Sequence, residues 1–217
     1  MKYIDLHTHQ LRNKAIIEIA NIFAQDFSET PTENLFSVGL HPWHILEVDW
    51  SESFSSIVLA SKNKNMLFVG ECGLDRSVAI DFAKQEECFI YQAEIANAMD
   101  KPLIIHCVRA FNDLIRIKKK VKTDVPWIIH GYNANKEVTV SLVKQGFYFS
   151  IGEKLLFDTR KYACLEIIPV DNLFLESDES VLPIELLYKK TAEILKITEP
   201  KLISIVCDNF NKVTHFE

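Results

Sequence analysis

Short apolar runs alternate with longer stretches of helical spacing, and this alternation limits the possible folds more than any other feature of the chain. The runs are YIDL at 3–6, LFSVGL at 35–40, MLFVG at 66–70, LII at 103–105, WII at 127–129, FYFSI at 147–151 and LFL at 173–175. Runs this short and apolar, set between turn residues, read as buried strands. Between them, segment 82–98 carries Phe82, Phe89, Ile90 and Ala93 at helical spacing, and 138–143, 164–168 and 184–195 also read as helices. Repeated strand–helix units build a parallel sheet, and a closed α/β barrel of the (β/α)8 kind needs one more strand. Segments 15–20 and 202–210 compete for that place. Around the second, Leu202, Ile203, Val206, Phe210 and Val213 follow helical spacing, so the strand is assigned to 15–20.

The 217 residues suit one domain spanning 1–217, with seven prolines and six glycines scattered singly and no linker or repeat. Hydrophobic residues at 48% and charged residues at 25% exclude a disordered chain. Five cysteines, with no CxxC pair among them, point to reduced thiols in the cytoplasm rather than a disulfide framework. No apolar run reaches the roughly 20 residues that span a bilayer, so no membrane partner is expected. The net charge of −6 argues against a broadly basic nucleic-acid-binding surface. The one basic run, 118–122, reads as a solvated helix face. Any phosphate recognition must therefore be local, and bound metal cations could supply the charge.

Ligand-type side chains recur where the apolar runs end. The first run leads into Asp5-Leu6-His7-Thr8-His9, and residues two apart on a strand share one side, so His7 and His9 can chelate one ion. Glu71, His106, His130 and Asp178 follow later runs. In a parallel barrel the C-terminal ends of the strands meet at one face, where active sites are built. Each residue alone has a plainer reading, such as a satisfied core histidine or a helix cap. Their recurrence at one position argues for a metal site.

Six ordered motifs resemble those of the TatD family of metal-dependent deoxyribonucleases, within the amidohydrolase-like barrels. Asp5, His7 and His9 resemble its DxHxH opening, and Gly39-Leu40-His41-Pro42 its GxHP element. Gly70-Glu71-Cys72-Gly73-Leu74-Asp75 resembles its GE-x-GLD element, and Gln85, Phe89 and Gln92 its QxxxFxxQ helix. Segment 102–107 resembles PVxIHC, and Glu176-Ser177-Asp178 resembles ETD. The resemblance spans nearly the whole chain. It implies a short TIM-type barrel with 15–20 as its second strand. Three departures touch substrate-contacting loops: Arg109 stands three residues after His106 instead of two, Gly131-Tyr132-Asn133-Ala134 follows His130, and Glu179-Ser180 follows Asp178.

The resemblance implies two divalent ions (Zn, Mn or Mg), one held by His7, His9, Glu71 and Asp178, the other by His106, His130 and the shared Glu71. It implies a phosphodiester hydrolase acting on nucleic acid, a 3′–5′ exonuclease on single-stranded DNA ends, with Asp178 orienting or deprotonating the attacking water. Substrate contacts are expected from His41, Arg109 and Tyr132. His41 has a structural hydrogen bond in its turn as the alternative role, and Tyr132 has packing. Cys72 and Cys107, each one residue past a ligand, read as small buried hydrophobes. Two other functions stay open: an amidohydrolase acting on an amide, lactone or aminoacyl ester, and a non-catalytic metal- or partner-binding barrel. The sequence leaves the oligomeric state open.

Overall fold

The structure is a computed structural model that describes residues 2–13, 15–28 and 33–216. Its strands are β1 (Ile4–Thr8), β2 (Ile17–Phe23), β3 (Leu35–Gly39), β4 (Met66–Asp75), β5 (Leu103–Val108), β6 (Trp127–Ile129), β7 (Tyr148–Ile151) and β8 (Leu173–Leu175). Its helices are α1 (Trp50–Ala60), α2 (Phe82–Ala98), α3 (Phe111–Val121), α4 (Lys136–Lys144), α5 (Glu153–Leu156), α6 (Tyr162–Leu165), α7 (Ile184–Leu195) and α8 (Glu199–Thr214). The strands form one eight-stranded sheet in sequence order, with parallel pairing. This is the expected TIM-type (β/α)8 fold. Segment 15–20 lies largely within β2 and segment 202–210 within α8.

The chain divides into two compact units: a terminal unit of Met1–Ala20 with Ile129–Glu217, and a central unit of Asn21–Ile128. In the terminal unit every residue of β1 is buried. Tyr188 of α7 fixes the start of β1, its hydroxyl donating to the Ile4 carbonyl at 3.0 Å and accepting from the Ile4 N–H at 3.2 Å. Asn209 of α8 donates to the carbonyls of Val170 at 2.8 Å and Leu173 at 2.9 Å, fixing the start of β8. A parallel bridge joins Thr8 to Asp178, and the Asp178 N–H donates to the His7 carbonyl at 2.9 Å.

In the central unit all ten residues of β4 are buried, five of them beyond the run that the sequence marks as a strand. The extension passes through Gly70-Glu71-Cys72-Gly73, where the apolar run ends and a strand is expected to stop. The glycines instead permit close passage against β5. A Cβ at Gly70 would lie 2.3 Å from the Ile104 carbonyl oxygen, and one at Gly73 2.0 Å from that of His106. Their φ angles of 139° and 150° are also closed to other residues. Further elements depart from expectation. Helix α1 was not anticipated, because its serines prefer turns and caps, yet Asp49 caps it by accepting from Ser51 N–H at 2.7 Å. The helix expected over 164–168 is the single turn α6.

Candidate metal centre

In the terminal unit, β1 carries His7 inward, fully buried, with exposed His9 near the same carboxylate. Asp178 Oδ1 lies 3.9 Å from His7 Nε2 and 3.7 Å from His9 Nε2. The backbone enforces this meeting: besides the Asp178–His7 bond, His9 N–H donates to the Asp178 carbonyl at 3.3 Å. Asp178 itself adopts a left-handed φ of 53°. Asp5, two residues before His7, accepts from Ser177 N–H at 2.8 Å. Burial pushes the Asp5 carboxyl up to about 7, against the lowering effect of the Ser177 hydrogen bonds.

A second group in this unit brings His130 and Glu176 to the same aspartate. Glu176 is fully buried; its Oε1 accepts the Gly131 N–H at 2.5 Å and lies 3.4 Å from His130 Nδ1. The His7 and His130 rings stand 4.4 Å apart. Beside Asp178 opens a cavity of about 130 Å³ lined by Gly131, Tyr132, Gly152 and Lys154 among others.

In the central unit, one oxygen of the buried Glu71 carboxylate gathers two imidazoles. His41 Nε2 lies 3.1 Å and His106 Nδ1 3.0 Å from Oε1. The Glu71 N–H donates to Asn21 Oδ1 at 2.9 Å. The other nitrogen of His106, Nε2, lies 3.2 Å from Asp75 Oδ2. Asp75 also accepts from Trp43 Nε1–H at 2.8 Å and from Ser77 N–H at 2.7 Å. Burial alone raises the Asp75 carboxyl, but hydrogen bonds from His106, Ser77 and Trp43 outweigh it and hold the group well below the usual carboxylate range. His41 Nδ1 accepts the Trp43 backbone N–H at 3.2 Å, so its proton sits on Nε2. The turn bond and a donor role for His41 are therefore compatible, one at each nitrogen.

Two glutamines of α2 hold the strand ends that carry these residues. Gln92 accepts the Leu40 N–H at 2.8 Å and donates to the Leu40 carbonyl at 3.0 Å, immediately before His41. Gln85 does the same for Asp75, at 2.8 and 3.0 Å.

Within each unit, expected ligands meet other side chains in groups of imidazoles and carboxylates whose donor atoms lie within 4.8 Å of one another: His7, His9 and Asp178; His130 and Asp178 with Glu176; Glu71 and His106 with His41. Mixed nitrogen and oxygen donors without thiolate suit Zn, Mn or similar divalent ions, so the residues present fit such a metal. Arg109, at the end of β5, is exposed and has a φ of 54°. Tyr132 corrects the expectation of base stacking. It is 1% exposed, its hydroxyl pairs with Thr139 Oγ1 at 2.8 Å and its ring packs on Phe149, so its role is packing. Cys72 is buried as expected, and Cys107 is partly exposed. Asp75 and Glu176 received no role from the sequence. The two-residue spacing that pairs His7 with His9 also pairs Glu176 with Asp178, and twice that spacing relates Asp75 to Glu71.

A (β/α)8 barrel whose strand ends gather imidazoles and carboxylates is the frame of a metal-dependent hydrolase. The chain belongs to the TatD family: the family model described as TatD related DNase matches residues 7–215. It is 24% identical over 200 residues to an uncharacterized metal-dependent hydrolase, YcfH, of Escherichia coli K12, covering 84% of this chain and 74% of that protein. It is 28% identical over 155 residues to the 3′-5′ ssDNA/RNA exonuclease TatD of Erwinia tasmaniensis, covering 65% of this chain and 56% of that one. Among solved structures, the TatD homologue YJJV of Escherichia coli K12 superposes with a TM-score of 0.85 at 17% identity, over 99% of this chain and 98% of its own. A TatD family hydrolase from Entamoeba histolytica gives 0.81 at 14% identity, over 98% of each chain. These two share the fold.

Proposed function

We propose that this hydrolase cuts phosphodiester bonds of nucleic acid, removing nucleotides from the 3′ end of single-stranded DNA within one catalytic domain. Two divalent ions, Zn, Mn or Mg, would be held by His7, His9, Glu71, His106, His130 and Asp178, the family's ligand pattern carried onto this chain. The observation that carries the reading is the buried Glu71 carboxylate with His41 Nε2 at 3.1 Å and His106 Nδ1 at 3.0 Å. The activity for which the Erwinia tasmaniensis relative is named supports the choice of bond and polarity.

When bound, such ions supply Lewis acidity toward phosphoryl oxygens and make water nucleophilic near neutral pH. The chain's own groups do the rest. Asp178 orients the attacking water and accepts its proton on a carboxylate oxygen. His41 donates its Nε2 proton in a hydrogen bond to a phosphoryl oxygen as charge develops there. Arg109, with its exposed guanidinium, grips a phosphate by two parallel hydrogen bonds.

The test is a time course on end-labelled single strands, with and without chelator, beside a panel of amides, lactones and aminoacyl esters. Glu71→Ala should abolish nucleotide release, whereas His41→Ala should lower kcat about 10²–10³-fold, the usual worth of one such donor. Turnover of an amide or lactone without release of nucleotides would overturn the reading.

A further inference from the structure

Trp43 is a large apolar side chain that keeps 49% of its surface exposed, although indoles are usually well buried. It is also held at two points. Its backbone N–H donates to His41 Nδ1 at 3.2 Å, and its indole N–H donates to Asp75 Oδ2 at 2.8 Å. Asp75 is 1% exposed and engages His106 with the same oxygen. The indole stands edge-on to both histidines, with ring centroids 4.8 Å from His41 at 87° and 5.7 Å from His106 at 75°. A greasy ring is thus fixed in orientation beside the two imidazoles that flank Glu71, all within the central unit.

We infer that Trp43 is the stacking platform for the nucleobase adjoining the scissile phosphate. The inference rests on the nucleic-acid reading above and adds to it the part of the substrate that Trp43 recognises. A phosphate engaged by His41 brings its own nucleoside within one sugar's reach, and this indole presents an exposed aromatic surface there, its ring centroid 4.8 Å from that of His41. Stacking on an aromatic side chain accepts any base, because every base offers a π face. A ring already fixed by two hydrogen bonds loses little freedom on binding. The indole N–H, spent on Asp75, is not available to read base edges. The contact therefore selects for the presence of a base and not for its identity.

The experiment uses the metal-loaded full chain and fluorescence anisotropy. The probes are labelled single strands whose 3′-terminal linkage is a non-hydrolysable methylenephosphonate, ending either in a base or in an abasic sugar. Wild type should bind the base-bearing end about 10-fold more tightly than the abasic one, within the range that stacking provides. Trp43→Leu should lose that preference while leaving abasic-end affinity unchanged, and Trp43→Phe should keep most of it. Thermal melts of both variants establish that they fold. If Trp43→Leu and Trp43→Phe, which both lack the indole N–H, weaken both probes equally, the residue acts by holding Asp75, and the platform is overturned. If wild type cleaves ordinary single strands yet shows no preference between the probes, the platform fails and the nuclease reading stands. If wild type neither binds nor cleaves any oligonucleotide, both fail together.

Discussion

Glu176 is a fully buried carboxylate with one oxygen tied to Gly131 N–H at 2.5 Å and set 3.4 Å from His130 Nδ1. A carboxylate behind a ligating imidazole fixes its orientation and raises its basicity, and its loss typically costs 10–100-fold in metal affinity. Glu176→Gln should therefore weaken metal binding by about 10–100-fold with the fold retained, as read by metal titration against a competing chelator. An unchanged titration would remove Glu176 from that role. At this scale the sequence marked side chains that gather in the structure and was silent about what holds them. His7, Glu71, His106 and Asp178 stand out because polar residues interrupt apolar runs. Asp75 and Glu176 sit inside motifs too, but their work depends on partners such as Trp43 and Gly131 that no spacing reveals. Tyr132 misled because an aromatic after a histidine reads the same whether it faces solvent or Phe149.

The helix α2 does more than cover the sheet. Gln92 satisfies both backbone polar groups of Leu40, and Gln85 those of Asp75. Leaving a buried donor and acceptor unsatisfied costs about 1–3 kcal/mol each. Gln92→Leu should accordingly lower Tm by roughly 5–15 °C, at the 2–4 °C per kcal/mol usual for a chain of this size. It should also lower kcat by loosening His41, and calorimetry with single-turnover rates would separate the two effects. Helix α3 gives a pH prediction. Burial pushes the Lys118 ammonium down to about 8, with its Nζ 5.1 Å from the Trp127 ring centre. The folded protein then holds fewer protons than the unfolded chain between that value and the lysine's ordinary one, so this group adds stability as pH rises through the interval. Urea midpoints of wild type should climb relative to Lys118→Met between pH 8 and 10; parallel curves would exclude the effect. Strands β6 and β8 were legible to the residue because they are wholly apolar. β4 extends past Gly70, where the apolar run ends; the close approach of the neighbouring strand that accompanies this is not visible in the sequence. α1 was missed because serine-rich segments carry weak helical preference.

For the whole molecule, the alternation of runs was enough to predict the (β/α)8 fold, because parallel strands need helical crossovers and few other arrangements accommodate them. Net charge bears on substrate form. At −6 the chain lacks the basic stripe that duplex binding requires, whereas a strand end needs only a few contacts. We predict release of nucleotides from linear single strands, slower action on blunt duplex, and resistance of a closed circular single strand in a gel-based time course. Efficient cutting of the circle would defeat the strand-end preference. The bridge between Thr8 and Asp178 has a consequence for how the protein is made. Its two sides are 170 positions apart, and His7 and His9 are synthesised before Asp178. At roughly 5–20 residues per second, about 10–30 s pass before the aspartate and its backbone bonds become available. A nascent chain thus presents only the two imidazoles of the His7–His9–Asp178 group, and an ion held there as proposed would gain its carboxylate only once Asp178 has been made.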